Sequence, residues 1–150
     1  MKTAVCSRRV ALKGIYILTI LIDKSIAVKV GAMGKIFFTQ GFYAYVGSAQ
    51  NSLEKRLNRH FKKAAKKKFW HIDYLLTEKH VNTVKAFFKE AEKSEECITA
   101  QRLGEIGVPV EGFGCSDCNC KSHLFMFSDR HLLENACLKL GFKPLALSCQ

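Results

Sequence analysis

A chain of 150 residues and 16.9 kDa, 48% hydrophobic, is the size of one domain with one sizeable core, here with short terminal additions. Its formal net charge of +11, from 24 Lys and Arg against 13 Asp and Glu, makes polyanions the expected partners. Nucleic acid comes first among these, because an anionic membrane surface would call for a basic amphipathic helix with bulky apolar anchors and no other chemistry.

Residues 1–13 are polar and basic without a clear period and read as a short N-terminal extension. Lys2, Arg8, Arg9 and Lys13 precede the apolar run Ile15 to Ile22 and so imitate a secretory signal. The run is too short to span a bilayer and no small-residue cleavage pattern follows it. A cytoplasmic protein within reach of the nucleoid is therefore expected, with no membrane partner. Seven cysteines, three of them between Cys115 and Cys120, suit metal or reduced thiols better than a secreted disulfide framework.

Gly14 to Ile22 is a continuous apolar run of strand length, as in a strand buried on both faces. Asp23-Lys24-Ser25 supplies turn residues and Ile26 to Val30 alternates like a half-buried strand, so the two runs predict an antiparallel hairpin. Lys35 to Phe38 reads as a further short strand. Gly41 restarts the chain toward a strand at Phe42 to Val46 that stops at Gly47-Ser48. A helix then opens at Asn51, with Glu54 completing a near capping box. Leu53, Leu57 and Phe61 form its buried stripe, with Arg56 and His60 at the edge of that stripe and Lys55, Arg59, Lys62 and Lys66 pointing outward.

Eight Lys or Arg and no acid fall between Lys55 and Lys68. Such a run is usually a solvated face. Its single sign and its position on the Arg56–His60 helix favour a phosphate-tracking surface made by Lys55, Arg59, Lys62, Lys63, Lys66, Lys67 and Lys68. Trp70 to Leu76 predicts a short helix and Val81 to Phe88 a strand. Glu90 to Glu105 predicts a second main helix with Cys97, Ile98, Ala100, Leu103 and Ile106 mostly on one face. Val108-Pro109 should end it and open a loop. Leu124 to Phe127 reads as a last strand, and 129–150 as a closing helix with Gly141 past its end, then a tail packed on the same domain as 14–128.

Taken in order, Gly14-Ile15-Tyr16, Tyr45-Val46-Gly47, Arg56 with His60, and a later glutamate resemble the GIY-YIG nuclease superfamily. The likeness runs through Trp70-His71-Ile72-Asp73-Tyr74, Glu96-Cys97 and Gly112 to Cys118 as far as Phe127, and is greatest to the compact archaeal and bacterial branch of Uri-type endonucleases. It implies an α+β fold, a small mainly antiparallel sheet flanked by helices, and a metal-dependent DNA endonuclease linked to DNA repair, with RNA left open as a substrate. A nucleic-acid-binding module of the same fold is the alternative, and a zinc-stabilised interaction domain is a third reading from a different class.

The resemblance assigns Tyr16 to deprotonating the attacking water, with Tyr45 beside it. A free tyrosine has a pKa of about 10, so this role requires cationic neighbours that favour the phenolate. Arg56 would supply such a charge and two hydrogen bonds to the phosphate. His60 would orient the water or shuttle its proton, with His71 a second candidate, and Glu96 would hold one Mg²⁺ or Mn²⁺ against the leaving oxygen. Without the motif order, both tyrosines would read as packed core residues, both histidines as surface hydrogen-bonding groups and Arg56 as a helix-face cation. Glu95 competes with Glu96, since a one-residue error turns the side chain about 100° round a helix; the apolar residues from Cys97 to Leu103 favour Glu96.

Cys115, Cys118, Cys120 and His123 are ligands of the kind zinc takes. Four ligands within so short a stretch leave little chain to wrap a tetrahedron, so a hydrogen-bonded loop beside the active site is the favoured reading and zinc the lesser one. Ser116, Asp117 and Ser122 would equally serve to contact a nucleic-acid backbone. Cys6, Cys137 and Cys149 carry no implied chemistry.

Overall fold

A computed structural model describes residues 13–62, 67–115 and 118–145. Lys63, Lys66, Ser116, Asp117, Cys6, Cys149 and nearly all of the N-terminal extension lie outside the described residues. Among the described residues no helix is long and apolar enough to cross a membrane.

The fold is built on β1 (Gly14–Ile22), whose residues are almost all buried, as an apolar run without alternation requires. Its partners are not the next strand in sequence. β1 pairs antiparallel with β4 (Gly41–Ala49) on one side and β5 (Val81–Lys89) on the other. The expected hairpin with β2 (Ile26–Lys29) does not form, because β2 pairs instead with β3 (Lys35–Phe38) in a separate two-stranded sheet. The turn after β1 is drawn toward β5: Asp23 N–H donates to the His80 carbonyl at 3.0 Å, and the Asp23 carboxylate meets His80 Nδ1 at 2.9 Å. Long apolar neighbours thus flank β1, while the shorter β2 covers one face of the sheet through Val28.

Among the described residues the main sheet has six antiparallel strands in the order β6-β7-β4-β1-β5-β8, with β6 at Val108–Pro109, β7 at Leu124–Phe127 and β8 at Lys143–Pro144. Val108-Pro109 therefore joins an edge instead of opening a loop, and β7 is not the last strand. Successive side chains of β1 enter two cores. Tyr16, Leu18, Ile20 and Ile22 join Leu53 and Leu57 of α1 (Leu53–Phe61) and Ile72, Leu75 and Leu76 of α2 (His71–Leu76). Ile15 and Ile17 join Ala100 and Leu103 of α3 (Glu95–Gly104) and Leu133, Ala136 and Cys137 of α4 (Arg130–Lys139). Each fully buried Leu or Ile contributes about 1.5–3 kcal/mol, so both layers matter to stability.

Two helix starts differ from expectation. The cap of α1 is Ser52, one residue after Asn51, and its hydroxyl accepts the Lys55 N–H at 3.2 Å. In α3 the first turn begins at Glu95, and Ile98 and Ile106 are exposed while Thr99 takes a buried place beside Ala100 and Leu103. The cap of α4 is Asp129, which accepts the Leu132 N–H at 3.0 Å.

Candidate functional site

The central strands set the site. Tyr16 lies opposite Gly47 in the β1–β4 ladder, and Tyr45 lies one pair further along the same face, opposite Leu18. The two tyrosine rings are 6.4 Å apart. The Tyr16 ring occupies the space that a Cβ on Gly47 would need, touching its Cζ and hydroxyl, so the glycine exists for the tyrosine's sake. β4 runs on through Ser48 to Ala49 beyond the expected stop, and this carries Ser48 to the rim of the site.

The next helix reaches back over these rings. His60 is 2% exposed, far deeper than the edge position its spacing implied, and its Nε2 is 2.7 Å from the Tyr16 hydroxyl. Arg56 donates from Nη1 to the Ser48 carbonyl at 2.9 Å, and its guanidinium lies 4.4 Å from the Trp70 ring centre. A cation on an aromatic face is held in direction without being neutralised. His71, at the start of α2, accepts the Gly114 N–H on Nδ1 at 2.8 Å. Gly114 has φ +76, which suits glycine, and burial lowers the His71 pKa. A neutral His71 protonated on Nε2 fits both facts and argues against its acting as a base through Nδ1.

Glu96 arrives from the opposite layer, on the first turn of α3, and lines the same cleft as Tyr16, Tyr45, Ser48, Arg56, Trp70 and His71, about 420 Å³ in volume. Glu95 turns away toward Lys89 at 3.9 Å. Burial would raise the Glu96 carboxyl pKa, but His123, the Ser48 hydroxyl and Lys93 outweigh it and keep the carboxylate ionised. The tyrosines behave oppositely. Burial pushes both phenols up, and the nearby Arg56 charge only partly offsets this, so a standing Tyr16 phenolate is not what the surroundings favour.

The basic surface divides into two kinds of residue. Lys55, Lys62, Lys67 and Lys68 are exposed. Arg59 is not the outward cation its position suggested, for it makes two bonds of 2.7 and 2.9 Å to the carboxylate of Asp73, which is fully buried, and a third to the Lys67 carbonyl. Asp73 also accepts the N–H groups of Phe69 and Trp70, at 2.8 and 2.9 Å, and so caps α2 while pinning the loop that carries Trp70.

A second cluster adjoins the cleft. The sulfurs of Cys97, Cys118 and Cys120 and a ring nitrogen of His123 all lie within 4.8 Å of one another, a group able to hold a metal ion. Cys115, which the spacing had placed in such a set, is elsewhere: its thiol faces the Phe113 carbonyl at 3.5 Å. Cys97, which had read as an apolar helix residue, takes its place. Burial would raise the Cys118 thiol, yet the Cys120 backbone and thiol and His123 outweigh it and bring it below the usual thiol value. Burial, before any other cause, pushes Cys97 and Cys120 above theirs. The sequence signal for Cys97 was its place directly after the cleft glutamate; Ser48 had no comparable signal.

Two helical layers on an antiparallel sheet, with a polar cleft at one end of the central strands, define an α+β protein with a recessed anionic and cationic site. The chain belongs to the family described as Domain of unknown function DUF123, which matches residues 15–143. No curated protein and no solved structure matches it.

Proposed function

We propose that this protein is a GIY-YIG type, metal-dependent endonuclease that hydrolyses DNA phosphodiester bonds, acting in repair or on unusual DNA structures. The observation that carries this reading is the buried Tyr16–His60 hydrogen bond of 2.7 Å in a cleft also lined by Arg56 and Glu96. Hydrolysis needs a proton acceptor for water, positive charge on the phosphorane and stabilisation of the departing oxygen.

Because burial disfavours the free Tyr16 phenolate, the proton moves in relay. The attacking water gives its proton to the Tyr16 oxygen as Tyr16 gives its own to His60 Nε2, so no isolated phenolate forms. Arg56, already aimed by Ser48 and Trp70, has further N–H groups to offer the non-bridging oxygens. Glu96, an ionised carboxylate on the cleft wall, would hold one Mg²⁺ or Mn²⁺. Such an ion, when bound, would supply positive charge to the leaving oxygen. The exposed lysines on α1 and after it would track the backbone on either side.

Purified protein incubated with single-stranded, duplex, nicked and branched DNA, with Mg²⁺, Mn²⁺ or chelator, tests the reading. Cleavage should require the ion, and Arg56→Ala and Glu96→Gln should each lower it by about 10²–10³-fold. Activity that survives in both variants would sink the assignment. Salt-sensitive binding with no cutting on any DNA would favour the binding-module alternative.

A further inference from the structure

We propose that Cys97, Cys118, Cys120 and His123 form a structural zinc site that fixes the cleft carboxylate Glu96 through His123. Four ligands in one short loop would leave little chain to wrap a tetrahedron, an obstacle that holds only while all four are local. The fold removes it, because Cys97 comes from the first turn of α3 and the other three from the loop before β7.

The geometry is close to what zinc requires. Tetrahedral zinc with Zn–S bonds of about 2.3 Å sets neighbouring ligand atoms about 3.5–3.8 Å apart. Here the four atoms lie within 4.8 Å of one another, and Cys118 Sγ is 3.4 Å from His123 Nε2. Binding needs an inward movement of about 1 Å at most. Three thiols would lose their protons on coordination, and His123 would bind as neutral imidazole through Nε2.

The other ring nitrogen supplies the second observation. His123 Nδ1 lies 3.1 Å from Glu96 Oε2, at ion-pair distance but without the alignment of a good hydrogen bond. Metal-bound histidines commonly present their second N–H to a carboxylate, which fixes ring and carboxylate together. A small rotation of His123 toward the ion would complete this pair. Glu96 and Cys97 are consecutive residues, so one helical turn would be held by zinc on one side and would present a carboxylate to the cleft on the other. Gly114 closes the link, since a side chain there would crowd His123 while its N–H donates to His71.

The test measures metal, and its readouts do not depend on any cleavage. Full-length protein purified without chelator should carry about one zinc per chain by elemental analysis. Cys97→Ser and Cys120→Ser should lose it, while Cys115→Ser, in the same loop, should keep it. Cobalt exchanged into the wild type should show thiolate charge-transfer and tetrahedral ligand-field bands. As a check independent of variant folding, removing zinc from the wild type should lower its melting temperature and adding zinc back should restore it. Folded wild type that takes up no zinc or cobalt, or zinc that stays in both Cys97→Ser and Cys120→Ser, would overturn the proposal. If zinc binds as expected and Glu96→Gln leaves DNA cleavage intact, the metal site stands and the nuclease assignment fails.

Discussion

The two faces of the central sheet are built from the same strands and differ in what they bury. On the α3–α4 side, Ile15, Ile17, Val46, Phe125, Phe127 and Leu133 make an apolar layer. On the α1–α2 side the layer is as deeply buried, yet it encloses the Tyr16 hydroxyl, the His60 imidazole and the Asp73 carboxylate. Buried polar groups cost free energy unless they are bonded, and here they bond to one another and to Arg59. An apolar layer would be the simpler way to hold a sheet. In the proposed reading, the polar side holds the proton-relay pair and the other layer contributes only the cleft carboxylate Glu96 from α3.

The largest effect should come from exchanging damage between the two faces. Tyr16→Phe should cost only about 1–3 kcal/mol of stability, since it takes the Tyr16 hydroxyl from the buried His60 Nε2, and should reduce DNA cleavage by about 10²–10⁴-fold. Leu133→Ala should cost about 2–5 kcal/mol in denaturant unfolding while cleavage persists below its lowered melting temperature. Similar losses of cleavage in both variants would erase the functional difference between the faces.

A smaller effect separates the faces by pH. Burial would raise the Asp73 pKa, but the Arg59 bonds and the N–H groups of Trp70 and Phe69 outweigh it and lower it. A depressed carboxylate contributes stability that is present above its unfolded pKa, about 3.9, and is lost as pH falls through the folded value. Asp73→Asn should cost about 2–3 kcal/mol at neutral pH, and the gap from wild type should close below about pH 4. Leu133→Ala should show no such closing when unfolding is followed across the same range.

The smallest effect compares two caps. Ser52→Ala on α1 and Asp129→Ala on α4 should each cost about 1 kcal/mol of stability. Only the first loosens the helix that carries Arg56 and His60, so only it should also slow cleavage when rates are measured well below the melting temperature.

Much of the polar face was legible in the sequence. The order of Gly14-Ile15-Tyr16, Tyr45-Val46-Gly47, Arg56 and His60 pointed to residues that the fold brings together, and the four-residue spacing of Leu53 and Leu57 gave the buried side of α1. Pairing partners were not legible. A run such as Ile15 to Ile22 says that it is central but not which strands flank it, and the turn residues after it suggested the wrong neighbour. Long-range bonds were equally hidden, since nothing local to Arg59 announces Asp73 and nothing local to Cys97 announces Cys118. The burial that opposes a Tyr16 phenolate depends on strands and helices far apart in the sequence, so it exists only in the folded chain.

The outer strands carry a consequence for how the molecule behaves among copies of itself. The chain has two prolines, and each closes one of the two outermost strands, Pro109 in β6 and Pro144 in β8. Proline offers no N–H to an incoming strand, and two-residue edges give a short template. Among the described residues both margins of the sheet thus resist growth by strand addition, and mutual repulsion at +11 acts in the same direction. Were the protein to gather on a polyanion as proposed, its local concentration would rise, and blunt margins of this kind would let it crowd there without templating fibrils.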